Sequence, residues 1–159
     1  EHEFGAYLRS KLGPTDRIYH FTDANLLYVE NNPNRDSAPH DLFNRLRGWV
    51  EEFQPNNTLN RILRMGIADY PFLPRAFTSI NEKELLDILL MATSVSRELS
   101  IKEKTSHWVY LKAIENTPAA SFASTDIRKS CQMAIQQGLI KVHSSHRNEE
   151  IIKNLLKDG

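Results

Sequence analysis

Two histidines stand three residues apart in His143-Ser144-Ser145-His146, with Glu149 and Glu150 just beyond. Neutral imidazole and carboxylate are ligand types for zinc and other divalent ions. A closed structural site needs four ligands, and Cys131 is the chain's only cysteine. The segment therefore reads as a polar connector, and no metal or other cofactor is expected. Cys131 keeps helical spacing with Ile127 and Ile135, so it reads as an inert core thiol. A single cysteine also excludes a disulfide within the chain. The six glycines are widely scattered. No phosphate-cradling, dinucleotide-binding or nucleophile-elbow pattern can be drawn from them, and no catalytic set is legible.

The strongest interaction candidate is a helix expected to start at Ser124 or Thr125 and to end at Gly138. Ile127, Cys131, Ala134 and Ile135 make its core face. Thr125, Arg128, Lys129, Gln132 and Gln136 lie at its start or off that face, with Lys141, His143 and Arg147 as backbone contacts beyond it. Arg and Gln suit base edges, and cations suit phosphates. Together with a helix expected over 105–116, this C-terminal third resembles a winged-helix or helix-turn-helix unit, its middle helix missing or short. The resemblance implies a scaffold helix, a recognition helix and a short wing over 138–142.

The segment Tyr19-His20-Phe21-Thr22-Asp23-Ala24-Asn25-Leu26 resembles the opening His-x-Thr segment of ADP-ribosyltransferase toxins that modify nucleic acid. That resemblance implies that His20 and Thr22 help to hold NAD, and that the chain is an NAD-consuming transferase. By residue pattern alone, 18–29 reads as a helix from Asp23 with an extended lead-in. A third candidate is Tyr70, Phe72, Leu73 and Phe77, an aromatic patch that would serve a scaffold or oligomerisation module.

Helices must position these residues. All seven prolines fall at or before Pro118 and cut the chain into segments. Helical spacing runs through 4–12, 41–53, 57–67, 81–99, 105–116, 124–137 and 145–156. Asn81 and Glu84 form a capping box, and Leu139-Ile140-Lys141-Val142 is a short extended piece. No alternating pattern is long enough to build a sheet. The expectation is an all-α fold, an irregular bundle of about six or seven helices closed by a winged-helix-like unit. A single domain over 1–159 fits, with a finer division into a 1–100 body and a 101–159 unit.

Twenty Lys+Arg balance twenty Asp+Glu over 159 residues. This excludes a uniformly basic nucleic-acid binder, yet the neutrality is a cancellation. Residues 1–100 carry 11 basic against 14 acidic residues, and residues 101–159 carry nine against six. The basic excess falls on the recognition-like segment. The longest apolar run, Ile88-Leu89-Leu90-Met91-Ala92, is far short of the about 20 residues a membrane helix needs. The acidic start, Glu1-His2-Glu3-Phe4, has no apolar signal core, so an intracellular setting is expected, cytoplasm and nucleus alike. The leading reading is a non-enzymatic interaction domain that binds a partner protein or nucleic acid through its C-terminal third.

Overall fold

A computed structural model describes residues 2–11, 17–22, 25–29, 38–53, 62–69, 72, 81–114, 126–146 and 149–158. Residues Glu1–Arg61 and Ile62–Gly159 form two compact units. The described residues hold five helices and five strands in two sheets, so the fold is mixed α/β and the all-α expectation is wrong.

The first unit contains helix α1 (His2–Arg9), strands β1 (Arg17–Thr22) and β2 (Asn25–Val29), and helix α2 (Ala38–Phe53). The strands pair antiparallel from Arg17↔Val29 to Thr22↔Asn25, with a register shift between His20 and Thr22. The extended lead-in expected before Asp23 is β1, while the helix expected from Asp23 is replaced by β2. The Leu, Tyr and Val content of Asn25–Val29 fits a pleated, half-buried surface. Leu8, Ile18, Phe43, Leu46 and Val50 are buried. Lys11 Nζ lies 3.3 Å from Glu52 Oε1, a partly exposed pair between the end of α1 and α2.

The second unit runs β3 (Arg64–Ala68), α3 (Glu82–Glu103), β4 (His107–Ala113), α4 (Ile127–Gln136), β5 (Ile140–Ser144) and α5 (Glu149–Asp158). The strand order is β3-β4-β5. β3 and β4 are parallel, joined through α3, while β5 is antiparallel to β4. Parallel neighbours require a crossover connection, and the long helix supplies it. One sheet face carries Ala68, Val109, Leu111, Ala113, Ile140 and Val142. These pack with Ile88, Met91, Ala92, Val95 and Leu99 of α3, Ile127, Cys131, Ala134 and Ile135 of α4, and Ile152 and Leu156 of α5. All three helices therefore share one core on that face.

The scaffold helix expected over 105–116 is the central strand β4. Trp108, Val109, Tyr110 and Leu111 are all buried, so apolar residues point to both faces. A short, continuously apolar run has the same signature in a buried strand as in a buried helix. With that helix gone, the winged-helix resemblance fails. The helix expected over 57–67 also gives way to β3 at its C-terminal end, while 54–61 lie outside the described residues.

Helix α3 begins as its sequence dictates. Asn81 Oδ1 accepts from Glu84 N at 2.8 Å, and Glu84 Oε1 accepts from Asn81 N at 3.1 Å. It ends at Lys104, which adopts the left-handed conformation at φ 55° and donates its N–H to Ser100 O. The helix lies hard against β3 at Gly66. A Cβ there would fall 2.6 Å from Leu89 O and Thr93 N. Buried Ser96 adds a polar tie, its hydroxyl 2.7 Å from the carbonyl of Met65. Among the described residues, no helix is long and apolar enough to cross a membrane.

Candidate functional site

The α4 candidates divide into three groups. Arg128, Lys129 and Gln136 are exposed, and Met133 and Gln137 join them on the solvent side. Gln132 is half-buried and occupied: its Nε2 donates to Leu156 O at 2.8 Å and to Lys157 O at 3.4 Å. It anchors the end of α5, where backbone carbonyls lack intrahelical partners. The cap is Asp126, one residue beyond the expected Ser124 or Thr125, with Oδ1 accepting from Lys129 N at 3.2 Å. Gly138 ends the helix as expected, at φ 78°. Thr125 and Arg147 lie outside the described residues.

Lys141 and His143 do not join α4. Along β5, Ile140 and Val142 face the helical core, so Lys141 and His143 point to the opposite sheet face. There the His143 ring stacks on Tyr110 at 5.8 Å and 28°. The Tyr110 hydroxyl in turn donates to the carboxylate of Asp69 at 2.5 Å. The contacts expected to form one surface are thus parted by the thickness of the sheet.

Phe72 is buried in the core, 3% exposed, whereas Tyr70, Leu73 and Phe77 of the same patch lie outside the described residues. The backbone of His20 and Thr22 is in β1. Cys131 is fully buried, and burial pushes its thiol up to about 12, which leaves no thiolate at neutral pH. His143 and His146 have different partners. Among the described residues, no group of three or more His, Cys, Asp and Glu is arranged to hold a metal ion.

The densest polar cluster joins the end of α3, the start of β4 and the turn after β5. Glu103 Oε1 lies 2.6 Å from His107 Nε2, and Glu103 Oε2 lies 3.0 Å from His146 Nε2. His107 Nδ1 lies 2.7 Å from Ser145 Oγ. The Ser145 hydroxyl also accepts from Trp108 N at 3.0 Å, and Ser145 N donates to Trp108 O at 3.1 Å. These contacts fix the protons. A carboxylate only accepts, so Nε2 of His107 carries the hydrogen. In the neutral ring Nδ1 is then an acceptor, and Ser145 must donate to it. His107 is buried, Glu103 and Ser145 are exposed, and the His146 side chain is 14% exposed.

No short-range pattern announces this group. Glu103 and His107 have the i, i+4 spacing of a helical pair, but the helix ends between them. Only the β4–β5 pairing brings Ser145 back to His107.

The hydrogen bond from His107 holds the Glu103 carboxyl below its ordinary value of 4.5; desolvation opposes this, while attraction to His107 and His146 assists. A carboxyl lowered in the fold contributes stability above its ordinary range, and that contribution is lost as pH falls through the folded value. Glu103→Gln should therefore flatten the acid limb of stability below about pH 5. Urea midpoints measured from neutral to acid pH check this. Parallel acid limbs for the variant and the parent would show that the carboxylate contributes nothing.

Comparison with family models, with curated proteins and with solved structures gives no significant match.

Proposed function

We propose that the chain is an interaction domain that docks an anionic partner on the solvent face of α4, with nucleic acid as the partner this chemistry fits best. One observation carries the reading. The helix exposes Arg128 and Lys129 beside Gln136, Gln137 and a Met133 that is 54% exposed, and it contains no carboxylate. Among the described residues, neither cation has an ion-pair partner. Cations can neutralise phosphates, the amides can hydrogen-bond, and an exposed thioether is an adaptable apolar contact.

Fluorescence anisotropy with labelled single strands, duplex DNA and RNA across a salt series tests it. Replacing Arg128 and Lys129 together with alanine should reduce the slope of log affinity against log salt by about two. An absence of binding at low salt, or an unchanged slope, would refute the nucleic-acid form.

A second reading is favoured by the paired strands over 17–22 and 25–29, where the residue pattern points to a helix from Asp23. An NAD-consuming transferase that uses His20 and Thr22 is compatible with strands there. Calorimetric titration discriminates: no heat at millimolar NAD excludes it.

A further inference from the structure

We propose that Ser145 is a nucleophile, activated by His107 and oriented through Glu103, and that it attacks exposed, activated esters. This chemistry is independent of the α4 surface. Three features carry it: Ser145 is an exposed residue, its hydroxyl proton is aimed at an imidazole nitrogen 2.7 Å away, and a carboxylate holds the other ring nitrogen at 2.6 Å. Nucleophile, base and orienting group within hydrogen-bond reach form the signature of covalent catalysis. The ring is used in the reverse sense of the serine-protease arrangement, with Nδ1 toward serine and Nε2 toward the carboxylate. The chemistry needs only one basic and one protonated ring nitrogen, and both are present.

The step balances without a further reactant. Ser145 Oγ bonds to the ester carbonyl carbon as its proton passes to His107 Nδ1. The imidazolium so formed lies against the Glu103 carboxylate. The alcohol leaves with that proton, and the acyl group stays on Oγ. Water then attacks the acyl-serine, giving one proton to His107 and returning the hydroxyl to Ser145. The Trp108 N–H, 3.0 Å from Oγ, stabilises negative charge on that oxygen as the proton departs. A purely structural serine would make the same bond to Trp108 and have no unusual reactivity, so reactivity separates the two roles.

The test is covalent labelling of the full chain with a fluorophosphonate, in which Oγ bonds to phosphorus and fluoride leaves. One adduct per chain is expected, on the peptide that holds Ser145, and none after unfolding in urea. His107→Gln should slow labelling at least about a hundredfold. Because that variant also loses contacts in the fold, the parent protein supplies a second readout. Its labelling rate should fall in acid, because the base must be neutral to take the proton. The titratable and charged groups around His107 are Glu103 and His146, with Arg64 opposite it on β3. No adduct at Ser145, equal labelling of folded and unfolded chain, or a pH-independent rate would overturn the proposal.

Discussion

Gly66→Ala is expected to destabilise the second unit by about 3 kcal/mol, the upper part of the usual cost of overpacking. An added Cβ would lie 2.5 Å from Thr93 Oγ1 and 2.6 Å from Leu89 O and Thr93 N. The threonine hydroxyl can rotate away, although it would give up its 2.8 Å bond to Leu89 O. The other two atoms are helix backbone. They can move only if α3 lifts from β3, and that loosens Ile88, Ala92 and Val95 together. A close-packed interior has no slack to absorb such a shift. Gly48→Ala is the control. Gly48 is exposed in the middle of α2, and a Cβ added there would meet nothing within 4 Å. There alanine should stabilise the first unit by about 0.5–1 kcal/mol through helix propensity alone. Urea unfolding followed by circular dichroism reads both. An unchanged midpoint for Gly66→Ala would show that helix and strand are not in close contact.

The partner of Gly66, helix α3, is legible in the sequence in detail, because its start is encoded in a local pair, Asn81 and Glu84, and its apolar face repeats over many turns. The core face of α4, its end at Gly138 and the extended piece at β5 are legible for the same reason. β3 and β4 are not. Val109 and Leu111 face the helical core while Trp108 and Tyr110 fill the other side, so the polar alternation that betrays a strand is missing. β3 has only five residues, one of them a glycine with no side chain to read. Once β4 is a strand, a helix-turn-helix unit cannot form, and the cations on α4 lose the neighbours that the resemblance supplied. The Glu103–His107–Ser145 group is hidden for a different reason. Its members are 42 residues apart at the extremes and meet only through strand register, which no short-range pattern reports. The candidate surface on α4 needs only one helix, so more of it can be read in advance. Even there, Gln132 belongs to α5 rather than to a partner.

Leu111→Ala should cost about 3–4 kcal/mol, in the middle of the range for buried leucines. Leu111 is fully buried on the central strand, in register with Ala68 on one side and Val142 on the other. The cost depends on how far the surroundings can collapse into the vacated space. Ala68 and Ala113, its neighbours on that face, are too small to reach across, and the helices are fixed by their contacts with Ile88, Cys131 and Ile152. Ile101→Ala on α3 removes a comparable side chain that is 62% exposed, and should change stability by less than about 0.5 kcal/mol. Combining Leu111→Ala with Gly66→Ala tests whether helix and sheet behave as one packed body. If α3 lifts in the glycine variant, the seat of Leu111 is already loosened, and the double variant should lose about 1 kcal/mol less than the sum of the two. Strict additivity in urea unfolding would mean that the strand can accommodate the methyl without moving the helix. The close approach at Gly66 would then be local to Thr93 and would not set the spacing of the whole layer.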